Sequence, residues 1–592
     1  MGIKMHQCTG KRHNLAPFLV IILLSLVNFI PSAEANEGEW LFWGHDINNS
    51  KFPSSETAIN KDNIKNLKAE WVWEARSNVY VYPSIKDNWL YTTDYPLLSV
   101  KSVIHPEKDG GWLYAIDRNT GKTLWERSIY QYSENRANVV SRSSPAIFDD
   151  LIIIGDAVHA GTIAQGFRGS RAAMYGINRF NGELVWKTVV EDHFAAQITQ
   201  SPVVHDGLVY VGVSSLELTI PGILGPAYSC CNFRGSMLAL DARSGEILWK
   251  TYTIPENYGQ TDLFSGGSVW GSSPSIDTER GLVYIATGNN YDVPSALKQC
   301  LRESENDSIQ EEACYEKFDP ADNYFNAILA LDMKTGAVRW SQKVMRYDAW
   351  NFACLADFIP YLPIPQKLAC PRPKGGDYDF GQAPMLIKDV TINGETKDLL
   401  VAGQKTGMFW AFDPEQNGKV IWATEVGPYG LLGGHEFGSA TDGKRIYAQI
   451  TNAEHKEFQL QAGIYEGQTA KGGLWAALDV VTGEILWQTP VPGSNKPISG
   501  GGIDHHHFGK DLALGFFALA MGPMTVANDI VYAGSLDGHM YALSGETGEI
   551  LWSYKTDGSI NSAPSIVDGS LYWGSGYWLG FPDNKLYKFS LE

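Results

Sequence analysis

The stretch LYAIDRNTGKTLW (113–125) is repeated, with variations, six more times along the chain. Each copy has alternating apolar positions, a polar residue (usually Asp), a turn and a final Trp. The other copies are MYGINRFNGELVW (174–186), MLALDARSGEILW (237–249), ILALDMKTGAVRW (328–340), FWAFDPEQNGKVIW (409–422), LWAALDVVTGEILW (474–487) and MYALSGETGEILW (540–552). A step such as T-G or N-G supplies the positive φ of a tight turn at little steric cost. Each copy therefore predicts two antiparallel strands joined by a hairpin.

A second pair of strand-like runs precedes each copy, as in SSPAIFDDLIIIGDA (143–157) and SPVVHDGLVYVGVS (201–214). Four strands per unit is the composition of a β-propeller blade. The last unit, KLYKFSLE (585–592), stops before its Trp, and the missing strand stands at the other end of the chain, in LKAEWVWEA (67–75). We therefore predict an all-β, eight-bladed propeller whose last blade is closed by the N-terminal strand, which leaves no open sheet edge. A set of unrelated hairpins is the alternative.

Two insertions interrupt the regular spacing of the repeats. Successive final Trp residues are 61 to 65 residues apart, except for two intervals of 91 and 82 residues. These intervals predict insertions near 290–326 and 350–376, within a single propeller that covers residues 36–592. Insertions in repeat folds lie in loops on one face, where function is commonly added.

The composition is typical of a large β core, with 19% charged and 12% aromatic residues. The formal net charge is −19. No basic stripe is present beyond the N-terminus, so we expect no nucleic-acid partner.

The first 35 residues have the pattern of a secretory signal peptide. A basic start precedes an apolar run at 15–30, and Ala33 and Ala35 form an A-x-A cleavage pattern. The run is short for a membrane span, and Pro17 interrupts it. We expect cleavage after Ala35, a periplasmic or secreted protein, and no stable membrane anchor. An uncleaved anchor is the alternative.

Six cysteines remain after the signal peptide, and an even number in an exported protein predicts disulfides. Cys300 and Cys314 fall in one insertion, and Cys354 and Cys370 fall in the other. Pairing within each insertion is the simplest interpretation, because it would staple long loops that lack a core of their own.

The remaining two cysteines, Cys230 and Cys231, are adjacent. Neighbouring Cα atoms are about 3.8 Å apart, below the usual disulfide window of about 4.4–6.8 Å. A bond between the two would close a strained eight-membered ring, which is a suitable stacking surface for a planar ligand. Two alternatives stay open: the ring only stiffens a turn, or both cysteines are free thiols.

Three segments carry a resemblance to a known family: CCNFRGSMLALDARSGEILW (230–249), DYDFGQAPML (377–386) and INSAPSIVDGSLYWGSGY (560–577). The chain resembles the quinoprotein dehydrogenases, eight-bladed propellers that hold pyrroloquinoline quinone (PQQ) and a calcium ion on the central axis. Within them it is most similar to the polyvinyl-alcohol-dehydrogenase-like branch. The resemblance covers nearly the whole mature chain. The Trp phrases alone are not specific, because non-catalytic propellers of bacterial outer-membrane assembly share them.

The resemblance implies three residues that contact the quinone. Trp270, in SVWGSSPSIDTERGLVYIATGNN (268–290), matches a Trp that stacks on the ring. Thr199, in ITQSP, resembles a Thr that hydrogen-bonds the ring. Lys405, in QKTGMFWAFD, matches a Lys or Arg beside the quinone oxygens, where a cation would stabilise developing negative charge. The ordinary alternatives are a core Trp, a strand Thr and a surface Lys.

The three carboxylates of PQQ also need basic partners. Arg142, in VSRSSP, occupies roughly the place of a family Arg, and Arg234, in CCNFRG, is an alternative. Bidentate pairing with a carboxylate suits either residue. The stacking role of Cys230 and Cys231 is not a direct match, because the family's adjacent cysteines usually lie one blade earlier.

Four residues are candidates for the metal and for the catalytic base. Glu217, in VGVSSLEL, and Asn289, in ATGNN, resemble the family's calcium ligands. Asp377 and Asp379 resemble the catalytic Asp and an acidic residue that some members add as a metal ligand, and each could be the base. Two such close carboxylates would repel unless a cation lay between them. Calcium is the implied ion, and two acids would also suit a lanthanide; two solvated loop acids are the alternative.

The sequence departs from the family pattern at several positions. The family's W-D phrase reads Trp350-Asn351, which moves the expected base to Asp377, and His435 or Glu436 replaces the usual amide in GGHEFGSATDG. No C-x-x-C-H motif for covalent haem is present, so electrons must leave to a separate carrier such as a cytochrome c.

These residues imply an exported quinoprotein dehydrogenase that oxidises an alcohol by hydride transfer to PQQ, with calcium as Lewis acid. The family branch suggests a secondary or polymeric alcohol. The His run at 505–507 is interpreted as solvated or substrate-lining rather than as a zinc site. The alternatives are a non-enzymatic propeller used as a binding or assembly scaffold, and a protein that binds a quinone or sugar polymer without turnover.

Overall fold

Each repeated phrase forms the two outer strands of a four-stranded antiparallel sheet, and the pair of runs before it forms the two inner strands. The computed structural model describes residues 38–96, 110–134, 139–158, 171–304, 307–357, 367–430, 432–493, 518–577 and 580–591. The expected signal peptide and the His run at 505–507 lie outside these residues. All described residues belong to one compact unit, Ala33–Glu592.

The described residues form eight such sheets, which are the blades of a β-propeller. In chain order, the strands of blades 1 to 4 are Ser84–Lys86, Trp89–Thr93, Trp112–Asp117 and Thr123–Ser128; Ala146–Phe148, Leu151–Gly155, Ala172–Asn178 and Leu184–Glu191; Val203–His205, Leu208–Ser215, Ser236–Asp241 and Ile247–Tyr252; and Ser275–Asp277, Leu282–Ala286, Ala327–Asp332 and Val338–Lys343. The strands of blades 5 to 8 are Met385–Ile392, Glu395–Gly403, Met408–Asp413 and Lys419–Glu425; Ala440–Thr441, Arg445–Ile450, Leu474–Asp479 and Ile485–Pro490; Met524–Ala527, Ile530–Gly534, His539–Ser544 and Ile550–Lys555; and Ser565–Val567, Ser570–Gly574, Lys585–Leu591 and Leu67–Glu74.

The eighth blade joins the two ends of the chain. Its outer strand, Leu67–Glu74, comes from the N-terminus and pairs antiparallel with Lys585–Leu591. The Trp71 indole N–H donates to the carbonyl of Arg118 at 3.1 Å, so the closing strand also contacts blade 1. The predicted closure of the ring is confirmed.

The final Trp of a phrase joins one blade to the hairpin of the next. The Trp125 indole N–H donates to the carbonyl of Arg179 at 3.0 Å. Gly182 in the same hairpin has φ +71°, and a Cβ there would lie 2.8 Å from the Trp125 ring. The same type of bond is made by Trp186, Trp249, Trp422 and Trp487. The Gly of the phrase is therefore needed for two reasons: it adopts the positive φ of the turn, and its lack of a Cβ lets the Trp approach closely.

Burial falls from the inner to the outer strands of a blade. In blade 3 the strand Leu208–Ser215 is almost completely buried, whereas Ile247–Tyr252 buries mainly its Trp. The apolar core consequently lies between neighbouring blades, and the largest apolar cluster runs through blades 1 to 4.

The N-terminal segment Trp40–Lys51 runs along the innermost strands of successive blades. Its carbonyls accept backbone N–H groups from the inner strands of six blades, and the Trp40 N–H also donates back to its partner. The partners are Ile85, Ile147, Ile276, Leu386, Thr441 and Val526. This segment thereby links six of the eight blades. The sequence did not predict it, because the segment has no regular periodicity.

Helices and short strands occupy the connections. The helices are Ile64–Asn66, Ile129–Tyr132, Glu217–Thr219, Ile220–Leu224, Gly225–Ala227, Ser295–Glu303, Ser308–Phe318, Phe352–Asp357 and Pro414–Gln416. The short strands are Val139–Val140, Ala157–Val158, Ala196–Gln197, Ser265–Gly266, Asn290–Asp292, Phe458–Gln459 and Thr469–Ala470. None of the helices in the described part of the chain has the length and apolarity needed to span a bilayer.

Each of the two insertions is cross-linked by a disulfide, as expected. The first holds the helices Ser295–Glu303 and Ser308–Phe318, which the disulfide Cys300–Cys314 joins. The second, around Phe352–Asp357, is held by the disulfide Cys354–Cys370.

Candidate active site

Trp270 lies in the loop that leads into the inner strand of blade 4, at the centre of the candidate site. Its indole N–H donates to Asp379 Oδ2 at 3.0 Å. The Lys405 ammonium lies 5.2 Å from the centre of its ring, within the range of a cation–π contact. A carboxylate and an ammonium therefore fix the position of this indole.

Asp379 connects the loops of blades 4 and 5. Its Oδ1 accepts the backbone N–H of Asn289 at 2.6 Å, and its Oδ2 accepts the Trp270 indole. The Asn289 side-chain amide donates to the carbonyls of Asn290 and Trp350 at 2.7 and 2.8 Å. Because the NH₂ group is used in this way, the Asn289 Oδ1 is left as an available hard ligand.

Asp377 and Lys405 form a buried ion pair, with 3.1 Å between Asp377 Oδ2 and the Lys405 Nζ. The same ammonium lies 3.6 Å from Asp379 Oδ2. The sequence predicted a cation between the two carboxylates and took it as an indication of a metal. In the structure that cation is Lys405.

The electrostatics of the pair follow from this burial. Burial raises the pKa of Asp377 well above its ordinary value; Lys405 opposes the shift and the negative charge of Asp379 adds to it. Burial alone would lower the pKa of Lys405, but the two carboxylates outweigh it and raise that pKa, so the ammonium stays charged.

Asp348, which the sequence did not single out, holds Asp377 in place. Its carboxylate accepts the backbone N–H groups of Asp377 and Tyr378 at 3.1 and 2.7 Å. Asp377 has φ +62°, an uncommon conformation that these bonds support. Burial raises the pKa of Asp348 to about 6.

Glu217 is fully buried, and its acceptor positions are occupied. Its oxygens accept the Tyr228 hydroxyl at 2.6 Å, the backbone N–H of Asn232 at 3.0 and 3.2 Å, and the backbone N–H of Phe233 at 2.8 Å. Burial alone would raise the pKa of Glu217, but His193 and these donors outweigh it and lower the pKa. These bonds anchor the loop that follows the adjacent cysteines, and the role of Glu217 as a metal ligand stays a prediction.

Cys230 and Cys231 form a disulfide in the structure, and they are not free thiols. The Cys230 Sγ lies 3.8 Å from the Asn351 side-chain nitrogen, in the second insertion. Neither cysteine lines the cavity described next, so a stacking role stays a prediction.

A cavity lies beside Trp270. We call it the central cavity. It is lined by Trp43, Tyr80, Arg142, Thr199, Ser201, Trp270, Ser272, Phe437 and Asn561. It therefore brings together Trp270, Thr199 and Arg142, three of the predicted cofactor residues. The Thr199 hydroxyl lies 2.8 Å from Ser214 Oγ and donates to the carbonyl of Trp270 at 3.3 Å.

The two candidate arginines lie in different environments. Arg142 lines the central cavity, 5.8 Å from the centre of the Tyr95 ring, and no carboxylate of the described residues forms an ion pair with it. Arg234 instead pairs with Glu256 at 2.7 Å and stacks over Tyr252. Arg142 is thus placed to meet an anionic ligand, whereas Arg234 is engaged elsewhere.

Glu436 is a buried acid beside the central cavity, next in sequence to Phe437. Burial raises the pKa of Glu436 to about 7, although Lys405 and Arg142 both lower it. The sequence had indicated this residue only because His435 or Glu436 replaces the amide that the family usually has in GGHEFGSATDG.

A complete metal site is not assembled within the described ranges. No three His, Cys, Asp or Glu side chains there come together as a metal-binding group. Asn289, Asp379 and Asp377 are linked through Lys405 and the bonds above, while Glu217 accepts hydrogen bonds from separate donors.

Known proteins resemble this chain over nearly its full length. A family model described as "Glucose/ethanol/alcohol dehydrogenase, beta-propeller domain" matches residues 40–300, and one described as "Outer membrane protein assembly factor BamB" matches residues 470–592. Polyvinylalcohol dehydrogenases of a Pseudomonas species and of a Sphingopyxis species are each 28% identical over 91% of this chain, which covers 73% and 72% of their lengths.

A solved structure supports the same fold. The quinohemoprotein alcohol dehydrogenase ADHIIG of Pseudomonas putida superposes with a TM-score of 0.63 at 18% identity, over 94% of this chain and 80% of that one. The repeats, the ring closure and the sequence relatives agree. The chain resembles the PQQ-dependent quinoprotein dehydrogenases, and polyvinylalcohol dehydrogenases are among its sequence relatives.

Proposed function

We propose that this protein oxidises an alcohol with PQQ bound at the central cavity. The observation that carries the proposal is the meeting of Trp270, Thr199 and Arg142 on one cavity, with the Asp377–Lys405 pair beside it. The printed names of the relatives, polyvinylalcohol dehydrogenase and quinohemoprotein alcohol dehydrogenase, favour a secondary or polymeric alcohol as substrate.

The residues at the cavity suit a flat, anionic cofactor. Arg142 has no carboxylate partner among the described side chains and can pair with a carboxylate of the ligand. The indole of Trp270 offers an aromatic surface, and its orientation is fixed by Asp379. Bound PQQ would supply the two-electron acceptor, and the chain would supply position and charge.

Asp377 is the better candidate for the base that takes the hydroxyl proton of the alcohol. Its raised pKa makes it a stronger base than an ordinary Asp, closer to the optimum for proton transfer near neutral pH. Asp379 already accepts the Trp270 and Asn289 donors, which suits a positioning role. Lys405 keeps its proton, and its charge stabilises negative charge that develops at the site.

We further propose that a calcium or lanthanide ion is held by Asn289, Asp377 and Asp379, whose oxygens are hard ligands. Such an ion would act as a Lewis acid. Glu217, whose oxygens accept from Tyr228 and the backbone, remains a further proposed ligand.

Export and a separate electron acceptor complete the proposal. The pattern of residues 1–35 supports a signal peptide and a periplasmic or secreted protein. Without a haem attachment motif, the electrons would pass to a separate carrier such as a cytochrome c. One relative, 24% identical, carries the printed name lupanine 17-hydroxylase [cytochrome c].

The test uses the purified full chain, PQQ, calcium, a series of alcohols and an artificial dye acceptor. We expect PQQ-dependent dye reduction with at least one secondary alcohol. Arg142→Ala should weaken PQQ binding at least about tenfold, since a charge-assisted contact is lost. Arg234→Ala is the matched control, because its partner is Glu256, and it should bind PQQ normally. No PQQ binding, or equal losses in both variants, would count against the proposal.

A further inference from the structure

Trp43, in the N-terminal segment Trp40–Lys51, lines the central cavity. Its side chain is 6% exposed, and its plane is fixed by an edge-to-face contact with Tyr82 at 4.8 Å. Its buried indole N–H has no hydrogen-bond partner among the described residues. A buried donor without a partner costs free energy, so a group inside the cavity would stabilise it.

Asn561 lines the same cavity from the loop that leads into the inner strand of blade 8. The residue is 4% exposed, and its buried Oδ1 has no hydrogen-bond partner in the described part of the chain. Two residues that line the cavity, more than 500 residues apart in sequence, therefore carry an unused donor and an unused acceptor.

We propose that Trp43 and Asn561 are cofactor-binding residues: the Trp43 indole donates to an oxygen of PQQ, and the Asn561 Oδ1 accepts an N–H of PQQ. The inference rests on the proposed function, since it takes PQQ as the occupant of the central cavity. It adds two contacts that neither the repeats nor the family resemblance assigned.

The position of these residues links ligand binding to closure of the ring. Trp43 belongs to the segment Trp40–Lys51, which bonds to the inner strands of six blades. Asn561 belongs to blade 8, which the strand Leu67–Glu74 closes. A ligand that bonds both residues bridges the N-terminal segment and the closing blade, and therefore stabilises the assembled ring by mass action.

The test compares PQQ affinities of the full chain, measured by equilibrium dialysis. Trp43→Phe removes the donor and keeps an aromatic ring, and Asn561→Ala removes the acceptor. Each should weaken PQQ binding about 3- to 10-fold, the usual effect of one lost hydrogen bond.

Trp40→Phe is the matched control. Trp40 lies in the same segment, also contacts Tyr82, and has a buried indole N–H without a partner in the described structure, but it does not line the cavity. It should bind PQQ as the wild type does. Hydrogen exchange gives a second measurement: PQQ should slow exchange in residues 40–52 of the wild type, and less so in Trp43→Phe.

The outcomes separate this inference from the proposed function. If the wild type binds PQQ and Trp43→Phe binds it equally well, the inference is wrong and the proposed function stands. If Trp43→Phe and Trp40→Phe lose affinity equally, the effect is one of folding and the inference is also wrong. If the wild type binds no PQQ, the proposed function fails and the inference fails with it.

Discussion

Replacing Lys405 by Met should destabilise the protein, because it leaves Asp377 and Asp379 facing each other without their cation. The Lys405 Nζ lies 3.1 Å from Asp377 and 3.6 Å from Asp379, and all three side chains are at most 10% exposed. Removal of one partner from a buried ion pair costs about 3–5 kcal/mol, because a charge remains buried without compensation. We expect a loss of that size in the free energy of unfolding.

The assay is guanidinium unfolding of the apo protein, monitored by Trp fluorescence and by circular dichroism. The unfolding transitions seen by the two probes must coincide. Lys405→Met/Asp377→Asn should recover part of the loss, with a coupling energy of about 1–3 kcal/mol between the two sites. Lys61→Met is the control, since Lys61 pairs with Asp529 and Glu546 at the surface and its loss should cost less than about 1 kcal/mol.

The same variant also tests the proposed ion site. If calcium or a lanthanide can lie among Asn289, Asp377 and Asp379, the ion should stabilise Lys405→Met more than the wild type, because it replaces the missing positive charge. A loss below about 1 kcal/mol in Lys405→Met, or strictly additive effects in the double variant, would refute a coupled buried pair.

Three further predictions follow from the site and the fold. Asp377→Asn should lower kcat about 10²- to 10⁴-fold with PQQ affinity nearly unchanged, measured by dye reduction and dialysis. The pKa of Glu436 is about 7, so above that pH its negative charge should weaken PQQ binding about 3- to 10-fold; a pH titration of affinity should show this step in the wild type and not in Glu436→Gln. Gly182→Val should lower stability by about 1–3 kcal/mol, because φ is +71° and a Cβ would lie 2.8 Å from Trp125; an unchanged Tm would contradict the Trp–Gly contact as the joint between blades.

The fold could be predicted because its signals are local. A hairpin needs only a Gly at the turn and apolar alternation on both sides, and these appear together within one phrase. Closure of the last blade by the N-terminal strand could also be predicted. The phrase at 585–592 stops before its Trp, and a strand that contains Trp stands at 67–75. The two disulfides within insertions were also local, with partners 14 and 16 residues apart.

The site was only partly predictable. Trp270, Asp379 and Lys405 meet as a group, and the motifs had indicated each of them. Glu217 was less predictable: a buried Glu between apolar residues needs partners, but the sequence did not indicate that the backbone N–H groups of Asn232 and Phe233 are among them.

By itself, the sequence determined the propeller, its eight blades and the residue types available to the site, because these depend on neighbours within a few tens of residues. Only the tertiary structure decided which Arg lines the cavity, which cation lies between the two acids, and that Trp43 reaches the same cavity as Asn561. The physical reason is distance along the chain: Trp270 and Asp379 are 109 residues apart, and packing of separate blades, not local periodicity, brings such residues together.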